Sequence, residues 1–112
     1  METIRQSKLA RLLQRDLGDI FLAEARNHLD GAMITVTTVR VSRDFSTAKV
    51  FLSIFAAPDK QALLGKIIAH TREIRYQLGN RIKNQVRIVP ELQFHLDDSL
   101  DYIEHLDELL KQ

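Results

Sequence analysis

The sequence predicts one α+β domain, with a small three-stranded sheet covered on one side by two helices. Three observations lead to this fold class. Apolar residues recur every three or four positions in two long segments, 3–27 and 60–84, as in helices that bury one face. Three shorter segments, 33–42, 47–55 and 86–96, show the alternation or the β-branched residues of strands. The length of 112 residues is that of a single domain.

The first half of the chain predicts a helix followed by a hairpin. Thr3 is a suitable cap for the first helix, and Gly18 within it costs about 1 kcal/mol relative to alanine. In strand 33–42 the apolar side chains switch from one face of the strand to the other along its length. We therefore expect a bulge near Thr37-Thr38, or a strand that is buried on both faces. The short turn at 43–46 predicts antiparallel pairing with the strand Thr47–Phe55.

The second half predicts one long helix, a third strand and a last helix. Asp59 is a fair cap for the helix Lys60–Asn84, whose weak points are its two glycines. In strand 86–96, Pro90 implies an edge position or a bulge, because proline cannot donate to a ladder. We expect one face of this strand to be apolar: Ile88, Leu92, Phe94 and Leu96. A leucine seam after Asp98 predicts the last helix.

Charge is segregated along the chain although the net charge is only +1. Residues 1–96 carry 15 Lys/Arg and 9 Asp/Glu, whereas residues 97–112 carry six acids and one lysine. We therefore predict two parts, a basic body at 1–96 and an acidic helix at 97–112. A basic body permits a surface that binds a polyanion.

The basic residues concentrate beside the apolar stripe of the second helix. The stripe consists of Ile67, Thr71, Ile74, Leu78 and Ile82. The neighbouring arc contains Arg72, Arg75, Tyr76, Gly79 and Lys83. One face can dock on the sheet while the other offers cations, a flat ring and a position without a side chain, which suits a phosphate backbone. A merely solvated charged face is the alternative.

No catalytic constellation is evident. Cysteine is absent, which excludes disulfides and thiolate zinc sites, and no serine or glycine-rich motif of a hydrolase or nucleotide-binding protein occurs. One group of residues could bind a metal ion: His95, Asp97, Asp98, Asp101 and His105. Aspartates that cap the start of the last helix are the better explanation of this group. We expect no enzyme, no metal and no cofactor. With no signal peptide or apolar span, we also expect a cytoplasmic protein away from membranes.

Two further surfaces have alternative interpretations. Lys49, Phe51 and Phe55 share a strand face that could stack bases, or could lie under the last helix. The leucine seam of the last helix could bind a partner or pack on its own domain. A protein–protein adaptor that uses either surface is therefore the rival to a nucleic-acid-binding protein.

Three stretches resemble the ribosome-binding factor A family: VSRDFSTAKVF at 41–51, IRYQLG at 74–79 and RIVPELQF at 87–94. The resemblance covers about residues 4–100. It implies a type II KH fold and a non-catalytic factor that binds the immature small (30S) ribosomal subunit and its 16S rRNA precursor during late maturation. It also implies a link to cold adaptation and release by a maturation GTPase, and we expect the free protein to be a monomer.

The leading hypothesis assigns RNA contacts to the following residues: Arg43, Arg72, Arg75, Tyr76, Gly79, Arg81, Lys83 and Arg87. The sequence departs from the family at the junction between the two KH helices, where an Ala-x-Gly kink is usual. Here the chain reads Ala69-His70-Thr71-Arg72, without the glycine. We therefore expect a straighter helix, or a bend at Gly79 instead.

Overall fold

The computed structural model describes residues 2–27, 32–55 and 57–97. Its elements follow in this order: α1 (Ile4–Asn27), β1 (Met33–Val41), β2 (Thr47–Phe55), α2 (Lys60–Ala69), α3 (Thr71–Ile82) and β3 (Glu91–Leu96). The predicted α+β class with a three-stranded sheet is confirmed. The predicted helix after Asp98, and with it most of the acidic segment 97–112, lies outside the described residues.

The sheet has the order β1-β2-β3, with β1 antiparallel and β3 parallel to the central strand. The register of β1 against β2 shifts between Val36 and Thr38, which confirms the predicted bulge. Thr37 is the extra residue, and its hydroxyl lies 2.6 Å from Asp97 Oδ2, just after β3. The bulge therefore accounts for the change of apolar parity along β1, because an extra residue reverses which side chains face the helices.

The helices bury their apolar sides against one face of the sheet. The side chains that are almost fully buried come from every layer: Leu13, Leu17, Phe21, Val50, Leu52, Ile67, Leu78 and Ile82. Phe21 of α1 meets Phe94 of β3 edge to face, with ring centroids 5.8 Å apart. This contact joins an early helix to the last strand and holds the two ends of the domain together.

The second predicted helix is in fact two helices, because the chain leaves helical geometry at His70 (φ −98°, ψ 13°). The expectations of a straighter helix and of a bend at Gly79 are wrong. The His70 dihedrals have negative φ, so the break needs no glycine. Side chains also supply partners for carbonyls near the break: His70 Nδ1 lies 2.8 Å from Lys66 O, and Thr71 Oγ1 donates to Ile68 O at 2.6 Å.

The third strand begins later than predicted, at Glu91 rather than at residue 86. Ile88, expected on its buried face, is instead 71% exposed. Pro90 is buried immediately before the strand, which fits its inability to donate to the ladder, and β3 is an edge strand as Pro90 implied. Residues 83–90 thus form a connection between α3 and β3 that lies at the same end of the sheet as the β1–β2 turn.

Candidate nucleic-acid interface

Three predicted RNA-binding residues lie exposed on one side of α3. Arg72, Tyr76 and Lys83 follow at spacings of four and seven, which places them on one helix face about 17 Å long at 1.5 Å per residue. Tyr76 is 67% exposed, although it is a large aromatic residue. Within the described residues, neither cation has an ion pair or a hydrogen bond. This cationic face is therefore available to a polyanion.

Arg75, the next predicted contact, is engaged by the protein's own backbone. Its Nε donates to Pro90 O at 3.1 Å and its Nη2 to Val89 O at 2.5 Å. The guanidinium is half-buried and ties α3 to the residues that precede β3. Two of its five N–H donors thus bond within the domain, so the structure gives Arg75 an architectural role that the sequence pattern did not show.

Arg81 is likewise committed to the protein itself. Its Nε lies 3.0 Å from Asp16 Oδ1, and its Nη2 lies 2.8 Å from Asp19 Oδ2. Both aspartates belong to α1, so the arginine bridges two helices. An arginine paired with two carboxylates offers little net charge to a phosphate, and the expectation that Arg81 faces RNA does not fit this geometry.

Gly79 faces the connection before β3 rather than open solvent. A Cβ added there would lie 3.6 Å from Val89 Cγ2, an ordinary van der Waals contact. An alanine would therefore fit here, and the packing of residues 83–90 on α3 does not require the glycine. Its predicted role, admission of a phosphate strand, is unsupported by this position.

Arg43 and Arg87 extend the cations beyond α3. Arg43 is exposed in the β1–β2 turn, and Arg87 is exposed in the connection that leads to β3. Beside Arg43, the Asp44 carboxylate accepts hydrogen bonds from the hydroxyls of Ser46 and Ser42, which lower the pKa of Asp44 to about 2. Asp44 therefore stabilises its own turn.

A groove runs between this turn, the start of α1 and the connection before β3. Two cations of α1, Arg5 and Lys8, lie along it and were absent from the predicted site. The signal in the sequence was a pair of charged residues in the first turns of α1. It pointed only to solvent exposure, because nothing in the pattern of α1 shows which distant loops lie beside it.

The remaining predicted features are less informative. The rings of Phe51 and His95 stack with centroids 5.4 Å apart on the sheet face away from the helices. No group of metal-ligating side chains occurs in residues 2–27, 32–55 and 57–97, and Asp98, Asp101 and His105 of the predicted group lie outside them. In the same part of the chain, no helix is long and apolar enough to cross a membrane.

Comparisons with known proteins agree on one family. The profile of "Ribosome-binding factor A" matches residues 5–110. A ribosome-binding factor A from Cytophaga hutchinsonii is 48% identical over 112 residues, which is all of this chain and 84% of the relative. One from Flavobacterium johnsoniae is 43% identical, over 98% of this chain and 85% of the relative.

Solved structures of the same name share the fold. The crystal structure of ribosome-binding factor A from Thermus thermophilus has a TM-score of 0.69 and 25% identity, covering 81% of this chain and 94% of its own. A Thermus thermophilus homology model, fitted into a cryo-EM map of a complex between the 30S subunit and ribosome-binding factor A, has a TM-score of 0.64 and 26% identity. It covers 80% of this chain and 91% of its own.

Proposed function

Because the chain belongs to the ribosome-binding factor A family, we propose that it is a non-catalytic assembly factor that binds the immature small ribosomal subunit and its 16S rRNA. One observation about this chain carries the proposal. Arg72, Tyr76 and Lys83 form an exposed face on α3, and both cations lack partners in the described residues. The 30S complex of the similar Thermus protein supports the same partner.

Phosphate neutralisation explains how such a face would bind. Each cation that meets a phosphate releases condensed counterions, so the binding constant falls as salt rises. Tyr76 adds a ring on which an unpaired base can stack. Arg43 and Arg87 extend the contact to the neighbouring loops, whereas Arg75 and Arg81 serve it only by holding the fold.

The test is cosedimentation of the full-length protein with immature small subunits. The variant Arg72→Glu/Lys83→Glu should fold normally, because both side chains are exposed, and should lose cosedimentation. The matched control is Arg11→Glu/Arg40→Glu, which reverses two exposed cations that lie off the cationic face and should keep most of the binding. Equal binding of both variants would refute the assignment to α3. Arg75 is unsuitable for this test, since its loss disturbs the connection before β3.

The finer parts of the role rest on the family alone. We propose that binding assists late rRNA processing, that the protein acts in the cytoplasm as a monomer when free, and that a maturation GTPase releases it. Purified small subunits from cells that lack the protein should carry unprocessed 16S rRNA ends. Fully processed ends in such cells, under cold growth as well, would contradict the proposed role in processing.

A further inference from the structure

The groove between α1, the β1–β2 turn and the connection before β3 has a volume of about 740 Å³. This lies within the range of about 300–1,000 Å³ that is common for small-ligand pockets. Its apolar lining consists of Leu9, Leu12, Phe45, Val86 and Ile88. Leu9, Leu12, Phe45 and Val86 are partly buried and pack on the core, so the floor is part of the folded domain.

Three cations from two separate elements line the same groove. Arg5 and Lys8 come from the first turns of α1, and Arg87 comes from the connection before β3. All three are exposed, and none forms an ion pair or hydrogen bond with another described residue. The acid in the lining, Asp44, is bonded within its own turn by Ser42 and Ser46. Among the described residues, the groove thus combines an apolar floor with three cations and one carboxylate.

Phe45 is held in a strained conformation at the edge of the groove. Its φ is 62°, in the left-handed region that bulky residues rarely adopt. The turn enforces this conformation: Phe45 N donates to Ser42 O at 3.0 Å, and Ser42 N donates to Thr47 O at 2.9 Å. Strain of this kind persists where the surroundings impose it, and it concentrates at ligand sites. Here it places an aromatic ring among the cations.

We propose that this groove binds an unstacked nucleotide of single-stranded RNA, with the base on the apolar floor beside Phe45 and the flanking phosphates on Arg5, Lys8 and Arg87. An aromatic ring with neighbouring cations is the arrangement by which proteins hold single strands. Paired RNA lacks the extruded base that the floor would cover, so the groove selects single strands. The inference rests on the proposed function, which supplies the RNA, and it adds a second contact at the far end of α3.

The position of the groove supports this choice of ligand. Lys83 ends the cationic face of α3, and the chain then leads directly through Gln85, Val86 and Arg87 into the groove. A strand that follows the cationic face can therefore continue into it. The acidic segment of the chain begins at Asp97, whose N donates to Leu52 O in β2. Leu52 lies five residues along the strand from Thr47, where β2 leaves the turn, which is about 17 Å at 3.3 Å per residue. The acidic segment therefore starts away from the groove.

The test uses fluorescence anisotropy with full-length protein and a labelled single-stranded RNA of ~10 nucleotides. Phe45→Gly keeps the turn, because glycine adopts positive φ freely, and should weaken binding by about 5- to 150-fold, the value of one stacked base. Arg5→Gln/Lys8→Gln should lower the slope of log K against log salt by about 1.4, which is 0.7 for each lost phosphate contact. The control Arg11→Gln/Arg40→Gln removes two exposed cations outside the groove and should leave both quantities unchanged.

Two further ligands test whether the groove binds single-stranded RNA, paired RNA or the acidic segment of the chain itself. The same RNA annealed to its complement should bind less tightly to the wild type and should be insensitive to Phe45→Gly. A synthetic peptide of residues 98–112 should not displace the single strand. Unchanged single-strand affinity in both groove variants, or displacement of the RNA by the peptide, would overturn the proposal. Loss of cosedimentation by the α3 variant together with normal RNA binding by the groove variants would refute the groove while leaving the proposed function intact.

Discussion

The bridge from Arg81 to α1 gives the sharpest prediction about stability. The side chain of Asp16 is only 8% exposed, and Arg81 donates to it at 3.0 Å. Arg81→Ala leaves this buried carboxylate with a longer ion pair to the exposed Arg15, whose Nη2 lies 3.6 Å from Asp16 Oδ2. Loss of one partner of a fully buried pair costs about 3–5 kcal/mol, whereas exposed pairs are worth about 0–1 kcal/mol.

The expected cost lies between these limits. Arg81 is 42% exposed, so water reaches the pair and reduces the penalty. The second partner, Asp19, is 56% exposed and adds little. We expect Arg81→Ala to lower the free energy of unfolding by about 2 kcal/mol. With a denaturant slope of about 1–3 kcal/mol per molar urea, as is typical of small domains, the urea midpoint should fall by about 0.7–2 M.

The assay is equilibrium urea unfolding followed by far-UV circular dichroism. Arg72→Ala is the matched control, because it removes from the same helix an exposed arginine that has no partner among the described residues, and it should change stability by less than about 0.5 kcal/mol. In Asp16→Asn/Arg81→Ala, the loss should be smaller than the sum of the two single losses, since no buried charge is left unpaired. A midpoint for Arg81→Ala equal to that of the control, combined with weaker RNA binding, would refute the structural role of Arg81.

Three further predictions concern single positions. Arg75→Ala should cost about 1.5–3 kcal/mol in urea unfolding, because the carbonyls of Val89 and Pro90 lose a charged donor, and Arg75→Lys should recover only part of it. Gly18→Ala should raise stability by about 1 kcal/mol in the same assay, because no packing partner outside its own helix backbone lies within 4 Å of the added methyl group and alanine favours the helix. Since the pKa of Asp44 is lowered to about 2, its carboxylate stabilises the fold above about pH 4 and loses this effect as pH falls towards 2. Asp44→Ala should therefore be less stable than wild type at neutral pH, with a gap that narrows in acid; a gap independent of pH would contradict this.

Much of the fold was predictable from local patterns. The period of the apolar residues located α1, and the parity change in β1 revealed the bulge at Thr37, because both signals lie within one element. The break at His70 was not predictable, since it depends on side-chain bonds to preceding carbonyls rather than on a glycine. The start of β3 was misplaced because Ile88 continues the alternation of the strand although Pro90 ends the ladder.

The candidate site was predictable only in part. Helical spacing correctly placed Arg72, Tyr76 and Lys83 on an exposed face. The same spacing could not distinguish them from Arg75 and Arg81, whose partners lie far away in the sequence and become neighbours only when the helices pack. The groove was missed for the same reason, because its walls come from three separate segments.

The parallel pairing of β3 with β2 has a consequence for the nascent chain. It joins residues 44 positions apart, such as Thr47 and Glu91, whereas the hairpin of β1 and β2 is complete by residue 55. Until Leu96 has been synthesised, the outer edge of β2 presents unpaired amides and carbonyls, which other chains can join. A fragment that stops before Glu91 should therefore aggregate instead of forming a smaller domain, and proteolysis within β3 should disable the whole protein.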